Sequence, residues 1–189
     1  MGAANLSQQQ PVTHRWPSSN CWFGRPYGPP IAFVLHSESG GESGTVAEWL
    51  SSSSQLSAHY RASVTGRLDC WIDPGDRAWS NGIVEPGSRW PIMAEACGID
   101  PELNPNHVTV SCEAEDLGDR HRPISDLQYH AVLSAGREAK NRYPDSLRFL
   151  ARHSDISPQS RPDCPGEQWN SSGRFEALAE ELGLRVVSS

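Results

Sequence analysis

The apolar residues fall into short runs that are typical of buried strands, separated by polar stretches that contain Gly and Pro. IAFVLHS at 31–37 is an apolar run with β-branched and aromatic residues, which predicts a buried strand, and SLRFLAR at 146–152 predicts a further strand. HVTVSCEAED at 107–116 alternates apolar and polar residues, which predicts a strand with two different faces. SAHYRASVTGRLDCWID at 57–73 contains two strand-like runs around Thr65-Gly66, so it predicts a hairpin.

Helical patterns alternate with these strands. GTVAEWLSSSS at 44–54 predicts a short helix, and Ser125 with Gln128 forms a capping box that opens a longer one to residue 143. SGRFEALAEELGL at 172–184 predicts an amphipathic helix, whereas 76–106 reads as a long loop. The prediction is a single α/β domain with a mixed central β-sheet flanked by helices. It covers 31–189, after an N-terminal extension, 1–30, that is partly irregular.

The amino-acid composition and net charge limit the classes of partner that we expect for this protein. Hydrophobic residues make up 37% of the chain and charged residues 21%, which is ordinary for a globular protein. The net charge of −7 disfavours nucleic acid as a partner. No apolar run approaches the roughly 20 residues that a membrane span needs, so we expect no membrane insertion. The N-terminus lacks a secretory signal, and we expect a monomer made in a cytoplasm.

Cysteine and tryptophan counts add two hints. Five Cys is an odd number, which argues against a disulfide framework and leaves room for a metal-binding thiolate. Seven Trp indicate either a large core, the simpler interpretation, or aromatic platforms for sugars and peptides. Within the extension, Arg15, Trp16, Trp22 and Arg25 place cations beside aromatic rings, a composition that could help bind a ligand.

Three polar residues on or directly after predicted strands are candidates for a functional role. His36 ends the first strand, His153 follows another, and Glu113 lies within a third. Functional residues of α/β proteins cluster at the ends of the strands, so we expect these three residues to lie in one site. Two His with a thiolate or carboxylate form a known zinc set, and a nearby Glu can act as a general base. The combination predicts amide hydrolysis, although each residue alone also fits a structural role.

From Ile31 to Trp169 the chain resembles the zinc-dependent N-acetylmuramoyl-L-alanine amidases of type 2. This family includes phage endolysins, wall-recycling amidases and peptidoglycan recognition proteins. Five motifs occur in the family's order: FVLHS, SAHYRASVTGRL, RAWSNG, NHVTVSCEAE and RHSDISP…RPDCPG. The resemblance implies a Zn²⁺ cofactor and bacterial peptidoglycan as substrate.

The resemblance also implies roles for individual residues. It makes His36 and His153 zinc ligands and Glu113 the catalytic glutamate. The third ligand depends on the counting: Asp163 when counted from His153, or Cys164 when counted back from the Pro-Gly pair. We favour Cys164, because a thiolate is a strong zinc ligand and Pro-Gly follows it as in the family.

Further expectations concern the substrate. Arg161 lies one residue from the place of the family's cationic Lys and could steady an oxyanion. We expect three residues near the cleft to bind substrate, although each could instead have a structural role: Tyr60, Trp79 and Asn106. Two positions depart from the family: Ser80 replaces the His of its AWHAG motif, and Arg152 replaces the Gly before the second zinc His.

The resemblance implies hydrolysis of the amide between N-acetylmuramic acid and L-alanine of the stem peptide. The biological role we expect is a phage endolysin that acts on the host wall after release from the cytoplasm. Two alternatives remain: a module that binds peptidoglycan without cutting it, and a cytoplasmic amidase that recycles anhydromuropeptides.

Overall fold

A six-stranded mixed sheet lies at the centre of the computed structural model, which describes residues 12–15, 18–38 and 41–187. In sheet order the strands are β1 (Val12–Arg15), β5 (Leu68–Cys70), β4 (Tyr60–Ala62), β7 (Thr109–Glu115), β3 (Ala32–Glu38) and β8 (Phe149–Arg152). Neighbouring strands run parallel except β4 and β5, which form the predicted hairpin. A second, antiparallel sheet pairs β2 (Cys21–Trp22) with β6 (Arg77–Ala78). The predicted α/β fold with a mixed sheet is confirmed.

Five α-helices and two 3₁₀ turns are found among the described residues. The helices are α1 (Glu42–Leu50), α2 (Trp90–Glu95), α3 (Asp126–Arg142), α4 (Glu167–Ser171) and α5 (Arg174–Leu182). Ser125 caps α3 as predicted, because its hydroxyl accepts a hydrogen bond from the backbone N–H of Gln128 at 3.1 Å. The segment 76–106 is not a plain loop: it contains β6, α2 and the start of the 3₁₀ turn Pro105–His107. No helix in the described part of the chain is long and apolar enough to cross a membrane.

The two faces of the sheet differ in chemistry. One face packs its apolar side chains, among them Phe33, Leu35 and Val110, against α3 and α5. On the other face, Val34 and Ala32 pack against the buried Trp90 and its neighbours on α2. Because successive side chains of a strand point to opposite faces, the polar residues of β3, β4 and β7 share this second face.

These polar residues stand side by side across the sheet. The backbone register places His36 of β3 opposite Glu113 of β7, and Arg61 of β4 opposite the same Glu113. Two residues further along, Glu38 lies opposite Glu115. The parallel strands β3, β7 and β8 end at the same edge, so the fold gathers these residues at one end of the sheet.

The described part of the extension is tied to the domain. β1 adds a parallel edge strand to β5. The Asn20 side chain donates hydrogen bonds to the carbonyls of Ser51 and Leu56, and Arg25 donates to the carbonyl of Thr109. The extension thus supplies short strands and anchoring contacts, although Trp16 lies outside the described residues.

Candidate metal centre and active site

Three potential metal ligands meet at the carboxyl end of the sheet. His36 lies on β3, His153 begins the 3₁₀ turn His153–Asp155 directly after β8, and Cys164 follows in the next loop. One ligand atom from each lies within 4.8 Å of the others, and all three residues are buried. No other group of three or more His, Cys, Asp or Glu among the described residues has this geometry.

Hydrogen bonds direct the same ring nitrogen of both histidines into this group. The Nε2 of His153 lies 3.2 Å from the backbone carbonyl of Asn81, which can only accept, so Nε2 carries the proton. The Nε2 of His36 lies 3.1 Å from Oδ1 of the same Asn81. The orientation of that amide is fixed in turn: its Nδ2 donates to Thr109 at 2.7 Å, and the Thr109 hydroxyl donates to the carbonyl of Pro105.

Both Nδ1 atoms therefore present lone pairs to each other, 3.0 Å apart. Burial and the facing His153 lower the pKa of His36 well below its ordinary value, and burial lowers the pKa of His153 to about 4. At neutral pH both rings are neutral. Two lone pairs at this distance are satisfied by a cation or a proton between them, and imidazole nitrogen is a preferred zinc ligand.

Cys164 completes the donor set. Its Sγ accepts a hydrogen bond from the backbone N–H of Ser37 at 3.3 Å, a contact that favours the thiolate. Burial, followed by the charge of Glu113, nevertheless raises the pKa of the Cys164 thiol to about 12. A positive charge in the site would reverse this shift, as metal binding to a thiol does. Two imidazoles and a thiol thus form a donor set that fits zinc.

The alternative ligand Asp163 points elsewhere. Its side chain is 66% exposed and pairs with Arg120 at 3.5 Å, outside the group that His36, His153 and Cys164 form. Of the two possibilities left by the sequence, the structure brings Cys164 into the site and leaves Asp163 at the surface.

Glu113 lies beside the candidate ligands. Its Oε1 is 3.7 Å from Nδ1 of His36, and its side chain is 15% exposed. Burial and the negative charge of Glu38 raise the pKa of Glu113 well above its ordinary value, and Arg161 opposes this. A raised pKa makes a carboxylate a stronger proton acceptor, which is what a general base requires.

A buried arginine supports the floor of the site. Arg61 is fully buried and donates to Glu38 at 2.6 Å and to Glu115 at 2.5 Å. Thr45 also donates to the Glu38 carboxylate. The guanidinium compensates the two carboxylates next to Glu113 on the same face of the sheet. Carboxylates this deep in a protein are stable only when paired in this way.

A cleft of about 770 Å³ opens over the three ligands and Glu113. Among the residues predicted for substrate contact, Trp79 and Arg161 line it, and so does Ser80, which stands at the position of the family's His. Helix α1 and the following loop form much of the remaining wall. The volume is in the range that small-molecule and peptide-sized ligands occupy.

Two expected substrate residues lie elsewhere. Tyr60 is fully buried in the core on the α3 side of the sheet, because alternation along β4 turns it away from the face that carries Arg61. Asn106 is 6% exposed and does not line the cleft. Its Oδ1 accepts hydrogen bonds from the backbone N–H groups of Ser80 and Asn81, so it holds the loop that carries Asn81.

Asn81 is the residue that the sequence did not single out. It is fully buried and accepts hydrogen bonds from both candidate His ligands, through its side chain and its backbone. The sequence signal that could have indicated this role is the position of Asn81 within the RAWSNG motif. An Asn in a Gly-containing loop reads first as a turn former, however.

Comparison with known proteins gives one distant relative and several structures of similar fold. No protein-family profile matches the sequence. The chain is 26% identical over 117 residues to the 1,6-anhydro-N-acetylmuramyl-L-alanine amidase AmpD of Haemophilus influenzae. The alignment covers 61% of this chain and 55% of AmpD, so the chain spans about half the length of this curated relative.

Solved structures of amidases share the fold. The selenomethionine derivative of AmpD superposes with a TM-score of 0.66 at 20% identity, covering 94% of this chain and 99% of that one. AmiD of E. coli, in complex with anhydro-N-acetylmuramic acid-L-Ala-D-γ-Glu-L-Lys, gives 0.61 at 20% identity, with 84% and 59% covered. LysC of Clostridium intestinale gives 0.53 at 17% identity, with 89% and 91% covered. The chain has the fold of the type 2 N-acetylmuramoyl-L-alanine amidases, as its motifs predicted.

Proposed function

We propose that this protein is a zinc-dependent N-acetylmuramoyl-L-alanine amidase. It hydrolyses the amide that joins the lactyl group of N-acetylmuramic acid to L-alanine of the peptidoglycan stem peptide. The observation that carries the proposal is the meeting of His36, His153 and Cys164 with Glu113 at the floor of one open cleft. The AmpD relative and the amidase fold support the substrate class.

The chain's residues divide the work as follows. His36, His153 and Cys164 would hold the zinc. Zinc in such a three-ligand site supplies a water whose pKa is lowered toward about 7 and polarises the substrate carbonyl. Glu113, beside the ligands, takes the proton from the attacking water and returns it to the departing L-alanine nitrogen. Arg161 lines the cleft, and in this proposal it stabilises the negative oxygen that develops during attack.

An endolysin and a recycling amidase would use the same chemistry on different physical forms of the substrate. An endolysin acts on the cross-linked wall, whereas a recycling amidase acts on soluble anhydromuropeptides. The AmpD relative is named as a 1,6-anhydro-N-acetylmuramyl-L-alanine amidase, which favours the recycling role as an alternative. The resemblance over most of the chain to the family that includes endolysins is the ground for the first, which we keep as the proposed role.

The experiment is a digestion of purified peptidoglycan, with soluble anhydromuropeptides in parallel, read by mass spectrometry. We expect free stem peptides beginning with L-alanine, no product after treatment with a strong chelator, and recovery on addition of zinc. Faster release from the polymer supports the endolysin role, and faster release from the soluble fragment supports recycling. Binding to peptidoglycan without any release would overturn the amidase proposal in favour of a non-catalytic recognition module.

A further inference from the structure

Four aromatic rings lead from the cleft onto the neighbouring surface. Trp79, on the cleft wall, contacts Trp22 with ring centroids 5.6 Å apart. Trp22 contacts His107 at 5.0 Å, and His107 stacks on Tyr27 at 4.3 Å. We name these four residues the aromatic strip. Because its first ring lines the cleft, a ligand chain that leaves the cleft at Trp79 meets the other rings next.

The strip is held firmly by the extension. Trp22 lies on β2, which pairs with β6. Arg77 of β6 donates to the carbonyl of Gly24 at 2.8 Å and contacts Nδ1 of His107 at 3.0 Å. The backbone N–H of Gly24 donates in turn to the carboxylate of Asp76. A surface already fixed in this way loses little conformational entropy when a ligand binds.

The strip is also exposed. Trp22 is 37% exposed and Tyr27 54%, and the adjoining Phe23 is 81% exposed. Single exposed apolar residues are common on protein surfaces and need no explanation. Here, however, Trp22 and Tyr27 belong to a row of four rings in contact that begins in the cleft, and exposed apolar patches mark binding sites.

We propose that the aromatic strip binds sugar rings of the peptidoglycan glycan chain while the attached stem peptide lies in the cleft. This inference rests on the proposed amidase function. The bond to be cut joins a sugar to a peptide, so the two halves of the substrate must leave the cleft by different routes. The C–H faces of pyranose rings pack against aromatic faces, and tryptophan and tyrosine offer such faces with a polar edge.

The charges around the strip favour a neutral ligand of this kind. The guanidinium of Arg77 lies 5.4 Å from the Trp22 centroid and 5.8 Å from the Tyr27 centroid. It therefore already occupies the cation-binding position of both rings, and a cationic ligand would meet its charge. The chain's net charge of −7 disfavours the phosphate backbone of a nucleic acid. Neutral sugars remain, and they suit a surface of aromatic faces.

The stem-peptide half would use another part of the wall. Glu38, Asp116 and Arg120 also line the cleft, and they lie at the end of β3 or after β7 rather than beside Trp79. Stem peptides carry carboxylate and ammonium groups, which charged side chains can recognise. The cleft thus offers charged contacts in one region and aromatic contacts in another, in keeping with a substrate that is half peptide and half sugar.

The test uses full-length protein and glycan strands from which the stem peptides have been removed and whose freed lactyl carboxylates are methyl-esterified, so that the strands are neutral and no muramoyl–L-alanine amide remains to be cut. Binding is followed by tryptophan fluorescence and by calorimetry. We expect Trp22→Ala and Tyr27→Ala each to weaken binding about three- to tenfold, the range of one aromatic contact. Tyr27→Phe keeps the ring and should bind like the wild type. Ile92→Ala on α2, where Ile92 is 56% exposed, is the control for loss of an exposed apolar side chain.

A second readout separates this proposal from the amidase proposal. On cross-linked peptidoglycan, Trp22→Ala and Tyr27→Ala should raise KM more than they lower kcat. On a muramoyl-peptide with a single sugar they should have a smaller effect. If both variants keep the wild-type affinity for glycan strands and the wild-type KM, and still release stem peptides, the proposed role of the aromatic strip is wrong. The amidase proposal is then unaffected. Strip-dependent binding of glycan strands without any release would overturn the amidase instead. Binding of free stem peptide that depends on the strip would also contradict the sugar assignment.

Discussion

Asn81→Ala tests how the fold prepares the candidate zinc site. The substitution removes Oδ1, which accepts the proton of His36 Nε2 at 3.1 Å. It leaves the backbone carbonyl that accepts from His153 Nε2 at 3.2 Å. One histidine loses the contact that fixes its tautomer, and the other keeps it. The second histidine is therefore an internal control within the same molecule.

The magnitude follows from the hydrogen bonds that are exchanged. Without Oδ1, His36 in the metal-free protein can move its proton to Nδ1 and donate it to Nδ1 of His153, 3.0 Å away. Zinc binding must then break that bond and leave Nε2 buried without an acceptor, which costs about 1–3 kcal/mol. Since about 1.4 kcal/mol is tenfold in affinity, we expect zinc to bind about ten- to a hundredfold more weakly.

Two measurements check this prediction. Competition with a chromophoric chelator gives the zinc affinity, and ¹⁵N NMR of the metal-free protein gives the tautomer of each histidine. We expect the Nδ1–H form of His36 to appear in Asn81→Ala while His153 remains Nε2–H. Asn81→Asp keeps an acceptor and should hold His36 in the wild-type tautomer. Unchanged zinc affinity together with an unchanged His36 tautomer would refute the reasoning.

Three further predictions concern the ligands, the buried charges and acid stability. Cys164→Ser should abolish stoichiometric zinc binding, whereas Asp163→Ala should leave it intact; the reverse result in metal analysis would make Asp163 the ligand. Arg61→Met leaves two buried carboxylates without their partner and should lower the free energy of unfolding by about 3–5 kcal/mol, measured with urea; a loss below 1 kcal/mol would contradict the pairing. Burial and Arg25 lower the pKa of His59 to about 3, below its value in the unfolded chain, so the unfolded state takes up the proton first. Its contribution to stability is therefore present above about pH 6.5 and is lost as the pH falls toward 3, by at most about 1.4 kcal/mol per pH unit. His59→Gln should reduce the difference between the unfolding free energies at pH 7 and pH 5, and an unreduced difference would show that other groups are responsible.

The parts of the fold that the sequence predicted are those with a local signal. The apolar run that ends at His36 is buried on both faces, and a strand of this kind appears in the sequence as a continuous apolar stretch. The β4–β5 hairpin turns at Gly66, which has φ of +87°, and the sequence marks it with Thr-Gly. In contrast, α2 (Trp90–Glu95) has only six residues, too few for a helical period to stand out among the Pro and Gly of 76–106.

In the candidate site, too, the sequence predicts what has a local signal and misses what depends on contacts between distant residues. Strand ends and motif order located His36, His153 and Glu113, but the choice between Cys164 and Asp163 depends on which of two adjacent side chains turns inward. Tyr60 was misplaced because a motif match does not say which face of β4 the residue occupies; the register with β7 decides that. Asn81 was missed because its role rests on hydrogen bonds to residues far apart in the sequence.

Glu113→Gln, measured for zinc content and for product release in one preparation, tests the central claim most directly. The amide keeps the size of the side chain and removes the group that we propose to carry the proton. We predict one zinc per chain, as in the wild type, with release of L-alanine-terminated stem peptides lowered by about 10²-fold or more. Stem-peptide release near the wild-type rate, with zinc bound, would contradict the account.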